Sequence, residues 1–140
     1  MPEYRRARLE RATVFITVVT FNRSPILITP KARQILRHVW KVVATKHPFT
    51  TDAFCLLPDH IHTMITLPEN DSNYSIRIRE VKQLFTRNFL ASVGEIAQRN
   101  PSHINKSEAT IWQRRFWEHT INNEQDYLHH FDYIHYNPVK

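Results

Sequence analysis

A chain of 140 residues suits a single domain with one core, and an apolar fraction of 41% is that of a folded protein. One glycine excludes the Gly-rich loops that cradle phosphates or dinucleotides, and one cysteine excludes an intrachain disulfide and a cysteine-built zinc cluster. A net charge of +6 favours a polyanionic partner, nucleic acid before an anionic membrane surface.

The run ATVFITVVTF, residues 12–21, is rich in β-branched and aromatic side chains and predicts a strand, with NRSP as a turn after it. Thr29-Pro30 predicts a helix start, with Thr as N-cap and Pro at the first helical position. Ile35, Leu36, Val39, Val42 and Val43 recur at helical spacing between Lys31 and His47, and Pro48 ends the run. TDAFCLLP (51–58) and HIHTMITL (60–67) predict two more strands, broken at Pro58-Asp59, and Cys55 reads as a core residue. Asp71 or Ser72 is the expected cap of a second helix running to about Gly94. Ile76, Val81, Leu84, Phe85 and Phe89 give it an apolar side, and Arg77, Arg79, Lys82 and Arg87 a basic one. Residues 99–109 read as a loop, 110–121 as a fourth strand dense in aromatics, and 122–137 as a last helix stopped by Pro138. Its acidic N-terminal turn complements the helix dipole.

The order β-α-β-β-α-β-α is the ferredoxin-like arrangement: an α+β fold in which two helices cover one sheet face and the third is free for the other. Residues 1–140 read as one domain with a basic N-terminal arm, 1–11, carrying Arg5, Arg6, Arg8 and Arg11. No window approaches the ~20 apolar residues of a membrane span, and the charged N-terminus lacks a signal-peptide core. A cytoplasmic protein is expected.

Strand alternation sends Ile61, Ile65 and Leu67 to the two-helix face, and His60, His62, Met64 and Thr66 to the other. Two imidazoles on one face are either a hydrogen-bonded structural pair or two ligands of one cation awaiting a third. On the last helix, Tyr133 and Asn137 are four residues apart and share a face. Tyr133 lies off the expected core stripe of Tyr127, Leu128, Phe131 and Ile134. A tyrosine can attack a phosphodiester and form a covalent phosphotyrosine link. A phenol's reference pKa is about 10, so a nearby cation would help form the phenolate and would polarise the scissile phosphate.

CLLPDHIHTMITLPENDSNYSIRIREVKQLFTR, IWQRRFWEHTI and DYIHYNPVK, in that order, closely resemble the REP-associated tyrosine transposases, of the IS200/IS605-like family of HUH (His-hydrophobe-His) single-strand nucleases. The resemblance runs from TVVTFNRSPIL onward. It implies that His60 and His62 hold a divalent metal, Mg²⁺ or Mn²⁺, that Tyr133 is the nucleophile, and that Asn137 completes the metal site. Tyr136 is the second candidate nucleophile, but no carboxamide follows it four residues on. The implied activity is a DNA endonuclease and strand transferase acting on hairpin-forming single-stranded repeat DNA, in a bacterial, nucleoid-associated setting. Helices are often exchanged between two subunits in IS200-like forms, which allows a homodimer. Relatives usually continue past NPVK, where this sequence ends.

The helix side carrying Arg77, Arg79, Lys82 and Arg87 is a candidate DNA track or a solvated face. Trp112, Arg114, Arg115 and Trp117 mix stacking surfaces with charge, as single-strand binders do, although alternate strand aromatics also build cores. His119, His129, His130 and His135 suggest a second metal site, but His119 reads as strand surface and the others as neighbours of the active face, so no second site is expected. The competing readings are a DNA-binding protein of the same fold without turnover, and a metal-dependent hydrolase with a water nucleophile.

Overall fold

The computed structural model describes residues 11–92 and 111–136. Arg5, Arg6 and Arg8 of the basic arm, the 99–109 loop and Asn137 lie outside them. Four strands, β1 (Thr13–Val19), β2 (Thr50–Leu57), β3 (His60–Thr66) and β4 (Trp117–Thr120), form one sheet. Three helices, α1 (Pro30–Lys46), α2 (Tyr74–Ser92) and α3 (Glu124–Tyr136), pack on it. The strand order is β2-β3-β1-β4 with every neighbouring pair antiparallel, the ferredoxin-like topology expected.

The two sheet faces bury separate cores. Val14, Ile16, Val18, Ile61, Ile65 and Leu67 meet Leu36, Val39 and Val43 of α1 and Ile78, Val81 and Phe85 of α2. On the other face Ala53, Cys55 and Met64 meet Ile121 and Ile134, with Phe15, Tyr127 and Phe131 packed around them. The period-2 pattern of β3 thus assigns each side chain to the face expected for it.

Local signals set most boundaries. Thr29 caps α1, its hydroxyl accepting the Ala32 N–H at 3.1 Å, with Pro30 in the first turn. The cap of α2 is Asn73 rather than Asp71 or Ser72. Its Oδ1 accepts the Ile76 N–H at 3.1 Å, while Asp71 Oδ1 accepts the Asn73 N–H. Asn123 caps α3, accepting the Asp126 N–H at 2.8 Å.

Four expectations are corrected. The fourth strand is not 110–121 but Trp117–Thr120, because the chain before it turns over the sheet edge: Trp112 makes an isolated bridge with Thr20 and is buried against Phe85. The NRSP turn is a pair of 3-10 turns, Phe21–Arg23 and Ile26–Ile28. Val42 is exposed, the α1 stripe being completed by Ala32. Leu128 is exposed as well, and the apolar packing of α3 centres on Tyr127, Phe131 and Ile134.

Candidate active site

On the sheet face that α3 covers, strand register lines up a row of side chains that runs from the buried interior out to the β4 edge. The register sets Cys55 of β2 opposite His62, His62 opposite Thr17 of β1, and Thr17 opposite Trp117 of β4. The next row is Ala53, Met64, Phe15 and His119. His119 meets α3 through Asp126, so the strand period puts Trp117 on the same face, where it is 76% exposed.

His60 and His62 do share a face, their ring centroids 4.6 Å apart at 79°. Each has its Nδ1 engaged. His60 Nδ1 lies 2.6 Å from Asp59 Oδ1, and His62 Nδ1 lies 2.8 Å from Thr17 Oγ1. An imidazole that donates from Nδ1 keeps the lone pair of Nε2 for another partner. Burial, and then the neighbouring His60, push the His62 pKa down from 6.5 to about 4, so this ring is neutral at physiological pH.

Asp59 is itself anchored. Its carbonyl accepts from the Thr20 N–H at 2.9 Å and the Thr20 hydroxyl at 3.1 Å. Arg23 Nε donates to its Oδ2 at 3.0 Å. Asn22 and Arg23 stand at φ 55° and 51°, in the left-handed region that side chains with a Cβ seldom adopt. This strained turn carries the guanidinium back over the β2–β3 junction. Burial acts to raise the Asp59 carboxyl, but the His60 hydrogen bond and the Arg23 charge outweigh it and hold the group below its ordinary value.

Tyr133 stands over His62. Its ring centroid is 5.2 Å from that of His62 at 75°, and 6.1 Å from that of Phe15. The ring is 48% exposed, so the phenol is open to a substrate from outside. Phe15 stacks on His62 at 5.7 Å and fills the sheet beneath Tyr133. Tyr136 is more exposed, at 64%.

The basic candidates divide. Arg77 is withdrawn as a surface contact. It is buried, and its guanidinium donates to the carbonyls of His47, Pro48 and Asn73 and to the Asp71 carboxylate. Trp112 is withdrawn too, since it is a core residue. Lys82 is half-buried, donates to the carbonyls of Gln113 and Arg114, and has its pKa lowered by burial. Arg79, Arg87, Arg114, Arg115 and Trp117 are exposed. Arg79, Arg87 and Arg114 line a groove of about 630 Å³ between α2 and the 112–116 segment. This groove is on the α1–α2 side of the sheet, and the chain running from it reaches the opposite face at Trp117.

Sequence reasoning missed Asp59, Arg23, Thr17 and Phe15. Asp59 immediately precedes His60, which is a signal. The other three are brought in by strand register and by a left-handed turn, which no local pattern announces.

Residues 9–137 match the family described as "Transposase IS200 like". The chain is 43% identical, over 140 residues and 77% of the relative's length, to a protein of Haemophilus influenzae named "Putative REP-associated tyrosine transposase". It is 42% identical, over 140 residues and 74% of the relative's length, to the "REP-associated tyrosine transposase" of Escherichia coli K12. Among solved structures, a REP-associated tyrosine transposase bound to a REP hairpin is similar at TM-score 0.72 and 39% identity, covering 93% of this chain and 68% of that one. A putative transposase from Deinococcus radiodurans shares the fold at TM-score 0.61 and 16% identity, covering 89% of each chain. With residues 9–137 matched to the family, the chain belongs to the IS200-like transposases, and its kinship to the two named relatives makes it a tyrosine transposase.

Proposed function

We propose that this protein is a metal-dependent endonuclease and strand transferase for single-stranded, hairpin-forming repeat DNA, with Tyr133 as nucleophile and a 5′-phosphotyrosine intermediate. The observation that carries the reading is the Tyr133 ring lying 5.2 Å from His62, on a helix that the sequence alone could not place. The relative solved with a REP hairpin supports the substrate class.

His60 and His62 would hold the divalent metal, Mg²⁺ or Mn²⁺, with Asn137 as a further ligand. The donor chemistry fits: His62 is neutral, and both rings have Nδ1 engaged by a neighbour, which leaves Nε2 for a cation. Bound there, the ion would polarise the scissile phosphate as a Lewis acid. The chain's own residues do the rest. The Tyr133 oxygen forms a bond to phosphorus as the bond from phosphorus to the 3′ oxygen breaks. The phenolic proton leaves to solvent, and the released 3′ oxygen takes one up. Attack by a DNA 3′-OH on the phosphotyrosine reverses the step and joins strands. Asp59 and Thr17 hold the two imidazoles in place while this happens.

The exposed basic groove on one face and the site on the other suggest a path for the DNA. Arg79, Arg87 and Arg114 would hold phosphates, and Arg115 and Trp117 would lead the strand round the β4 edge. A flanking base stacked on Trp117 would then lie one strand beyond Thr17.

The test is a labelled REP-like hairpin incubated with Mn²⁺ and separated on a denaturing gel. A covalent protein–DNA adduct is expected from wild type and Tyr136→Phe, and none from Tyr133→Phe. An adduct that persists in Tyr133→Phe rejects the nucleophile. Cleavage without an adduct favours a water nucleophile, and binding with no cleavage favours a protein of this fold without turnover.

A further inference from the structure

We propose that His119, Asp126 and His130 form a second metal site, for a first-row divalent ion of the zinc type, that ties β4 to the helix carrying Tyr133. It is the one group of three or more His, Cys, Asp or Glu side chains among the described residues whose ligand atoms converge, all lying within 4.8 Å of one another. The donors come from two elements. His119 is on β4, while Asp126 and His130 are four residues apart on α3 and face the same way. His119 Nε2 is 2.7 Å from Asp126 Oδ2, and His130 Nδ1 is 3.0 Å from Asp126 Oδ1.

Two imidazoles and one carboxylate are a borderline donor set, suited to zinc-type ions, and with three protein ligands the site keeps an open position. The carboxylate is held before any ion arrives. Asp126 Oδ2 accepts the Asn122 N–H at 2.8 Å, and the Asp126 N–H is taken by Asn123 Oδ1 at 2.8 Å. The two imidazoles stack at 4.8 Å and 22°, and Phe15 backs His130 at 4.7 Å. Bonds of about 2.0–2.2 Å would set tetrahedral donors about 3.3 Å apart. The His–Asp contacts therefore need to open by less than about 1 Å, and His130 Nδ1 to exchange its hydrogen bond with the Asp126 backbone carbonyl, 2.9 Å away, for the ion. Phe15 also stacks on His62, so its ring separates this cluster from the His60/His62 pair. The inference stands whether or not Tyr133 is the nucleophile.

The experiment uses the full chain, freed of metal by chelation and titrated with CoCl₂ and ZnCl₂. The variants are a His60→Ala/His62→Ala double substitution, His119→Ala, His119→Gln and His130→Ala. Circular dichroism confirms that each is folded. The double variant is expected to keep one equivalent of Co²⁺, with the visible absorption of a low-coordinate site, and to melt at a higher temperature with Zn²⁺. His119→Ala, His119→Gln and His130→Ala are each expected to weaken that binding at least tenfold. Loss of the Co²⁺ signal in the double variant, with His119→Gln and His130→Ala unchanged, overturns the proposal and assigns the ion to the other pair. So does the absence of a Co²⁺ signal from wild type.

Discussion

The Thr17 hydroxyl lies 2.8 Å from Nδ1 of His62, so a β1 side chain fixes the ring of a β3 residue from the strand beside it. Partners of this kind behind a ligating imidazole are typically worth 10–100-fold in metal affinity or activity. Thr17→Val, which keeps the shape and removes the oxygen, should weaken Mn²⁺ activation of adduct formation by roughly that factor. Thr17→Ser should restore most of it. A titration of adduct rate against Mn²⁺ concentration checks both.

The low His62 pKa makes metal-free protein sensitive to acid. The folded value is about 4 and the ordinary one 6.5, so between them the unfolded chain binds the extra proton. The stabilisation is complete above about pH 6.5 and is lost as pH falls towards 4. The shift corresponds to at most about 3 kcal/mol. Urea unfolding of chelator-treated protein at pH 7 and pH 5 should show the loss, and His62→Gln should flatten it.

Arg77 and Arg79 are two residues apart and should fail differently. Arg77→Ala removes a buried guanidinium and leaves the acceptors on His47, Pro48 and Asn73 without it. It should cost about 2–4 kcal/mol of stability, with no change in the salt dependence of DNA binding by whatever remains folded. Arg79→Ala should leave the melting temperature nearly unchanged and lower the slope of log K against log salt by about 0.7 on single-stranded DNA. Thermal melts and binding at several salt concentrations separate the two.

The strand and helix order, the two sheet faces and the helix cap at Thr29 were legible because each is a local pattern of period, cap or breaker. Alternation placed His60 and His62 together, and helical spacing put Tyr133 off its packing stripe. What stayed hidden needs the tertiary structure. Arg77 looked like the outer side of a basic helix, yet the turn after α1 offers it carbonyls and Asp71 folds back on it. Trp112 looked like a strand aromatic with a free face, but it turns under α2 to meet Phe85. Thr17 and Phe15 carried no mark of a role, since only the register sets them beside His62.

Asp59→Asn should separate position from charge at His60. The amide still fits the turn, but it no longer offers a carboxylate to Nδ1 and to Arg23. Adduct formation should drop about tenfold or more, with binding of the hairpin itself little changed. A parallel gel-shift and adduct assay shows whether the loss lies in chemistry or in capture.

Ile134 is the one residue of α3 that is fully buried, with Tyr127 and Phe131 beside it half-covered. The larger core, between the sheet and the other two helices, closes without it. On the proposed reading, the nucleophile is therefore lodged outside the part of the molecule that makes it durable. The sheet and its two helices are a chassis that can stay folded, while the tyrosine rides on an outrigger that a few apolar contacts and the Asp126 cluster hold down. Sequence drift that loosens those few contacts would disarm the protein while leaving its body and its basic groove intact.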